Sequence, residues 1–187
     1  MRGRVNAASF LVDPLTLALL AGSVIALYLA GRSTVQPVDM PDNVTIDELT
    51  RSATASREGI DNTPTSSARA NLDALAAAIV SPLRRAIEAE GEELRITSGY
   101  RSPELNTKIG GSSRSQHVTG QAVDITATGY DAEELAKRID GLGLPYDQLI
   151  YYAPSRGGHV HVSHRASGGR RMVLYAPSSG GYERRSI

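Results

Sequence analysis

The spacing of apolar residues changes along the chain, from a helical period in the first part of the folded region to a strand period later. Between residues 68 and 90 apolar side chains recur every three or four positions, at Leu72, Leu75, Ile79, Leu83 and Ile87. This period predicts one long amphipathic helix, which Pro82 should kink or restart. Short alternating segments typical of strands follow at 94–98, 121–126, 147–152, 159–163 and 171–175.

Capping residues predict three shorter helices. Thr45 and Glu48 form a T-x-x-E capping box before a helix at 45–56, and similar signals begin helices at 102–110 and 131–140. Helices therefore precede most of the strands, instead of alternating with them. This order predicts an α+β fold, in which an antiparallel sheet packs against helices, and disfavours a doubly wound parallel sheet.

A nearly continuous apolar segment occupies residues 10–30, after Arg2 and Arg4. As a helix, its uninterrupted part at 15–30 would be about 24 Å long, slightly short of a hydrocarbon core of about 30 Å. Tyr28 stands where a cleaved signal would need a small residue, so an uncleaved membrane anchor is favoured over a cleaved signal. The alternative is a helix buried in a larger protein assembly.

These patterns divide the chain into four segments. An apolar N-terminal helix is predicted at 1–31, a proline-containing linker at 32–44, and the folded domain at 45–175. The remaining segment at 176–187 is rich in Gly and Ser and is predicted to be a flexible tail.

The composition limits the chemistry available to this chain. The 20 Lys and Arg residues balance the 20 Asp and Glu residues, and no basic stripe is present, which argues against a nucleic-acid partner. No cysteine is present, so disulfides, thiolate metal sites and a cysteine nucleophile are all excluded. A transition metal would have to be bound by Asp, Glu and the four His residues.

One candidate metal-binding segment runs from His117 to Asp124. Strand alternation places Asp124 on the face opposite to Val123 and Ile125, and a carboxylate projecting from an apolar strand must be paired, hydrogen-bonded or bound to a metal. Gly120 would let His117 fold back towards Asp124. Taken alone, a surface histidine and a capping aspartate would explain the same residues.

The second candidate segment is His159-Val-His161, where both imidazoles share one strand face. An exposed edge strand would show the same pattern. Combined with the first segment, however, the histidines and Asp124 provide a three-ligand set with an open fourth position, which is the arrangement of catalytic zinc. Nitrogen and carboxylate ligands suit Zn²⁺, although Mn²⁺ or Co²⁺ are also compatible.

The sequence resembles the zinc D-Ala-D-Ala carboxypeptidases and phage endolysin peptidases, which share their fold with the hedgehog signalling domain. The resemblance covers most of residues 45–163 in the expected order. It is carried by the strings ELTRSATASREGIDNTP (48–64), TSGYRSPELN (97–106), IGGSSRSQHVTGQAVDI (109–125), YDQLIYY (146–152) and HVHVS (159–163). The combination of S-x-H-x-x-G-x-A-x-D with a later H-x-H is specific.

The resemblance implies a role for each matching residue. His117, Asp124 and His161 would bind the zinc ion. Arg101 would stabilise the oxyanion formed on the substrate, in agreement with the permanent charge of a guanidinium. Substrate binding would involve two further residues, Ser115 and Tyr100.

The sequence departs from many relatives at the general base, because residues 151–158 contain no carboxylate. His159 and Asp147 are the remaining candidates for proton transfer. His159 is preferred, since an imidazole with an unperturbed pKa of ~6.5 suits this work at neutral pH. Asp147 could instead cap its strand or orient a ligand histidine.

The expected function is zinc-dependent hydrolysis of peptidoglycan stem peptides, by carboxypeptidase or endopeptidase cleavage. The anchor would place the domain at a membrane, facing the periplasm or the cell exterior. Two other functions remain open. One is a non-catalytic zinc module that binds the cell wall or a partner protein. The other is a phage virion component, whose apolar segment would pack inside a tail.

Overall fold

The computed structural model describes residues 44–187. The helices of this region are α1 (Ile46–Thr50), α2 (Ala53–Glu58), α3 (Ser66–Leu75), α4 (Ser81–Glu88), α5 (Pro103–Lys108) and α6 (Ala132–Gly141). The strands are β1 (Leu94–Ser98), β2 (Ala122–Ala127), β3 (Tyr146–Tyr152), β4 (Val160–His164), β5 (Met172–Ala176) and β6 (Glu183–Arg184). All five strands expected from the alternating segments are present.

The six strands form one sheet in the order β1-β2-β4-β3-β5-β6. Every neighbouring pair is antiparallel except β3 and β5, which run parallel. The α+β fold is therefore confirmed, but the prediction of a purely antiparallel sheet is corrected. The chain leaves β4 on one side of β3 and returns as β5 on the other side. β5 is antiparallel to β4, as after a hairpin, but its neighbour is β3, which is also antiparallel to β4, so β5 and β3 run parallel.

One face of the sheet packs against the helices and forms the hydrophobic core. Val123, Ile125, Leu149, Val160 and Val162 contribute to this core, and each is at most 1% exposed. The predicted helical stripe is buried against them, since all of Leu72, Leu75, Ile79, Leu83 and Ile87 are fully buried. Because this face is apolar, the polar residues at alternating strand positions are free to line the opposite face.

The predicted kink at Pro82 is a short π-helical segment between α3 and α4. Residues Ala76–Val80 form this wider turn, and the backbone N–H of Ser81 donates to the carbonyl of Ala76, five residues earlier. Proline has no N–H to donate, and its ring crowds the carbonyl four residues before it. The wider turn accommodates both effects, so the helical stripe continues without a break.

The helix predicted at 45–56 is two short helices, α1 and α2. The first helix ends at Thr50, and Ser52 is the N-cap of the second. The Ser52 hydroxyl accepts a hydrogen bond from the backbone N–H of Ala55. Thr45 caps α1 by accepting from the N–H of Glu48. The Glu48 carboxylate does not complete the capping box, because it pairs with the buried Arg84 of α4.

The N-terminal predictions concern residues outside the described region, including the apolar segment at 10–30. Within residues 44–187, no helix is long and apolar enough to cross a membrane. At the other end, the segment predicted as a flexible tail contains β6, which pairs with β5 through Leu174 and Tyr175.

Asp147, one of the two candidates for proton transfer, lies in β3 with no exposed surface. Arg170 donates to it from its backbone N–H and from its guanidinium, at 2.6–3.1 Å. Gln116 donates to the same carboxylate at 3.0 Å, and Arg165 lies 3.1 Å away. The carboxylate thus ties two loops to β3, and these contacts account for its burial.

The hydrogen bonds from Arg170 lower the pKa of Asp147 from its usual value of 3.8 to about 2, although burial opposes them. A lowered carboxylate pKa stabilises the fold above the unfolded value, and this contribution is lost as the pH falls towards 2. We expect Asp147→Asn to remove about 2 kcal/mol of unfolding free energy at neutral pH and to flatten its dependence between pH 4 and pH 2.

Urea unfolding at several pH values, with the difference taken between wild type and variant, measures this effect. Asp73→Asn is the matched control, because Asp73 forms only an exposed pair with Arg69 on α3. If the unfolding free energies of wild type and Asp147→Asn depend on pH in the same way, the charge of Asp147 does not stabilise the two loops.

Candidate metal centre

A row of residues crosses the polar face of the sheet and positions two of the predicted ligands. Asp124 of β2 lies directly opposite His161 of β4, and His161 lies opposite Ile150 of β3. The row continues to Ser98 of β1 at one end and to Leu174 of β5 at the other. A β-bulge between Ile96 and Ser98 is what turns Ser98 onto this face.

His117 reaches the row from the loop that connects α5 to β2. The loop turns back at Gly120, which has a φ of 71° and whose position leaves no room for a side chain. A Cβ there would lie 2.3 Å from the carbonyl oxygen of Ala68 in α3. The glycine therefore allows both the left-handed backbone and the close approach to the helix, as the sequence predicted for this turn.

The three predicted ligands converge on one point. His117 Nε2 lies 3.1 Å from Asp124 Oδ1 and 3.1 Å from His161 Nδ1, and the last two atoms are 3.0 Å apart. Tetrahedral zinc with ligands at about 2.0–2.1 Å separates neighbouring donor atoms by about 3.3 Å. The cluster therefore fits a zinc ion after a spread of a few tenths of an ångström, and it could hold one.

The hydrogen bonds around His117 set its tautomer. Its Nδ1–H donates to the carbonyl oxygen of Gly99 at 2.7 Å, and a carbonyl can only accept. In the neutral ring the lone pair of Nε2 then points into the cluster, which is the orientation of a metal-ligating histidine. Gly99 itself lies directly against α1. Only glycine allows this approach, because a Cβ at this position would lie 2.0 Å from the carbonyl oxygen of Leu49.

The protonation states of the cluster also suit a cation. Burial lowers the pKa of His161 and keeps its lone pair available, although the hydrogen bond with Asp124 acts in the opposite direction. Burial alone would raise the pKa of Asp124, but the adjacent imidazoles of His117 and His161 outweigh it and hold the pKa well below its usual range. The site thus contains one carboxylate and two imidazole nitrogens.

Arg101 lies beside the cluster and binds its carboxylate. Nη2 donates to Asp124 Oδ2 at 2.7 Å, and both Nε and Nη2 donate to the hydroxyl of Ser98, at 3.0 and 2.9 Å. No described residue bonds Nη1, so this nitrogen remains available to a ligand. Arg101 therefore orients Asp124, a role that the sequence did not predict, and it lines the cleft as expected.

His159 is near the cluster but is not part of it. Its ring stacks on that of Tyr152, with the ring centres 4.3 Å apart and the planes at 17°. Burial lowers its pKa, against the attraction of Asp124. The structure therefore separates the two histidines of the H-x-H motif, with His161 in the cluster and His159 on the adjacent cleft wall.

The cluster lies in an open cleft of about 680 Å³. Ser115 lines this cleft, as predicted for a substrate-binding residue, and its hydroxyl accepts from the N–H of His117. Tyr100, the other predicted substrate-binding residue, is 3% exposed and packs in the core away from the cleft. Its backbone explains the burial, since its N–H donates to Leu49 of α1.

Sequence reasoning did not single out several residues that line the cleft, among them Arg114, Gln116, Gln148 and Tyr182. Gln148 has the same strand alternation as Tyr152, so this parity in β3 was a usable signal. The other three stand on loops or near the C-terminus. No periodicity connects such residues to the cluster.

We expect the purified domain to bind about one Zn²⁺ per chain, because three donors leave one open position. His161→Ala should abolish stoichiometric binding and the rise in melting temperature caused by zinc. His164→Ala is the matched control, since His164 donates to the carbonyl of Pro145 and lies outside the cluster. Metal analysis and thermal unfolding measure both effects, and full zinc retention by His161→Ala would disprove the ligand assignment.

Comparison with known families agrees with this geometry. A family model described as Peptidase M15 matches residues 42–163, which is more than half of the chain and contains His117, Asp124 and His161. No curated protein sequence gives a match. Together with the metal cluster, the match shows that the chain belongs to the peptidase M15 family of zinc peptidases.

Proposed function

We propose that this domain hydrolyses peptide bonds in the stem peptides of peptidoglycan, as a D,D-carboxypeptidase or an endopeptidase. The observation that carries the proposal is the convergence of two imidazole nitrogens and one carboxylate oxygen at the base of an open cleft. His117, Asp124 and His161 would hold the zinc ion. When bound, such an ion lowers the pKa of water and polarises a scissile carbonyl.

The protein side chains around the cluster have distinct tasks in this proposal. Arg101 keeps Asp124 in place through Nη2 and offers Nη1 to the substrate carbonyl oxygen as negative charge develops there. The Gly99 carbonyl keeps His117 in the ligand tautomer. Ser115, on the cleft wall, would contact the substrate backbone.

Proton transfer is assigned to His159 on the basis of its position. Asp147 is fully buried in contacts with Arg170 and Gln116 and does not line the cleft, whereas His159 does. Among the described residues, Asp124 is the only carboxylate that lines the cleft, and it belongs to the metal cluster. The imidazole of His159, two residues before the ligand His161, is then the group best placed to accept a proton and pass it to the leaving amine.

The direct test is mass spectrometry of purified peptidoglycan after incubation with the zinc-loaded protein. We expect new peptide termini within the stem peptides, with no products from His161→Ala. His159→Ala should retain zinc and lose about 100-fold or more in turnover, the usual contribution of general acid–base catalysis.

Three results would change this assignment. Zinc loss in His159→Ala would make His159 a ligand, and unchanged turnover would exclude it from proton transfer. A wild-type protein that holds zinc but releases no products would favour the alternative of a non-catalytic zinc module. The observation that supports this alternative is that the described part of the cleft has no carboxylate apart from that of Asp124.

The location of the domain is a separate proposal, supported by the apolar sequence at 10–30 and by the preceding Arg2 and Arg4. We propose that this segment holds the domain at a membrane, facing the periplasm or cell exterior. Assembly into a phage virion is the alternative.

We expect the full chain to require detergent, whereas a chain beginning near Asn43 should be soluble and folded, because the apolar segment is then absent. Membrane flotation of both proteins measures the difference. A full chain that stays monomeric without detergent would exclude the anchor, and recovery with particles instead of membranes would support the virion.

A further inference from the structure

Two tyrosines form the part of the cleft wall that adjoins His159. Tyr152 ends β3, and Tyr182 comes from the segment between β5 and β6, beyond the residues matched by the family model. The two rings meet edge to face, with centres 6.4 Å apart and an angle of 85°. Tyr182 is 57% exposed, although its large ring would be expected to seek burial.

Arg156 contacts both tyrosine rings and the turn before Tyr182. Its guanidinium lies 5.1 Å from the ring centre of Tyr152 and 5.8 Å from that of Tyr182, at the distance of cation–π contacts. It also donates to the carbonyls of Pro177 and Gly181, on either side of the turn that precedes Tyr182. No carboxylate in residues 44–187 pairs with Arg156, so its positive charge stays beside the two tyrosine rings.

A second contact attaches the same segment to the β3–β4 connection. The hydroxyls of Ser155 and Ser178 are 2.6 Å apart. Tyr182 is therefore held from both the loop that contains Arg156 and the strand β6 that follows it. Its position over the cleft is determined by specific contacts and not by chance packing of an end segment.

The two tyrosine hydroxyls are close but poorly satisfied by each other. Their oxygen atoms are 3.5 Å apart, whereas hydroxyl groups that hydrogen-bond well are about 2.7–2.8 Å apart. Burial, with the neighbouring Tyr182 hydroxyl, raises the pKa of Tyr152, so this phenol remains a donor at neutral pH. Two O–H donors and the charge of Arg156 suit an oxygen acceptor with full or partial negative charge.

We propose that Tyr152 and Tyr182 bind an acceptor oxygen of the peptide substrate, which makes Tyr182 a substrate-binding residue. The acceptor is either a C-terminal carboxylate or an internal peptide carbonyl. This inference rests on the proposed function, because it adds a contact to the same substrate. Tyr182 would then contribute to substrate affinity from outside residues 42–163, the region that the family model matches.

Tyr182→Phe tests the contact, because it removes one hydroxyl and keeps the ring that Arg156 and Tyr152 hold. We expect KM for a stem peptide to rise about 5- to 10-fold, the usual effect of losing one hydrogen bond, with kcat and zinc content nearly unchanged. Tyr175→Phe is the matched control. Tyr175 also lies on the C-terminal side of the matched region, but it packs against Tyr151 outside the metal cleft.

Two versions of the peptide identify the acceptor. If it is the terminal carboxylate, Tyr182→Phe should weaken binding of the free acid and leave that of the C-terminal amide unchanged. If it is an internal carbonyl, both peptides should lose affinity equally. Wild-type-like binding of both peptides by Tyr182→Phe would overturn the inference.

The same experiment separates this inference from the proposed function. Cleavage by wild type with an unchanged KM in Tyr182→Phe overturns the inference alone. If wild type cleaves no peptide, the proposed function fails, and NMR titration of the zinc-loaded proteins with the same peptides decides the contact. Weaker binding by Tyr182→Phe than by Tyr175→Phe then supports it, and equal binding overturns it.

Discussion

The buried carboxylate of Asp124 is the constraint on which the rest of the site depends. A charge removed from water is costly unless it is paired and hydrogen-bonded. Here Arg101 donates to one oxygen, while His117 and His161 lie at the other, within 3.1 Å. The pairing of β2 with β4 puts His161 directly opposite this carboxylate. The register of the two strands therefore determines which residues form the metal cluster.

The remainder of the fold holds His117 against this pair. Gly120 brings the loop close to α3, and the carbonyl of Gly99 receives the ring N–H. The neighbouring Gln116 donates to Asp147, whose carboxylate is fixed by Arg170. A second buried carboxylate thus supports the loop that carries a ligand without entering the cleft. This arrangement is the familiar one of metal sites, in which outer contacts orient the inner ligands.

The cleft is lined by residues inside and outside the region that the family model matches. The cluster and Arg101 lie within the region shared with the M15 family, whereas Tyr182 lies beyond it. The lining is rich in donors, and its single described carboxylate is already engaged. Such a surface complements the carbonyl and carboxylate oxygens of peptides, which is consistent with a peptidase.

Local pattern in the sequence determined the helical stripe from Leu72 to Ile87, the strand positions, and the faces on which Asp124 and His161 lie, because periods of 3.6 and 2 dictate which side chains share a surface. Tertiary structure alone decided what those side chains meet. It paired Glu48 with Arg84 instead of a capping N–H, buried Tyr100, enclosed Asp147, and set β5 parallel to β3. Each of these outcomes depends on a partner distant in sequence, and no local period specifies such a partner.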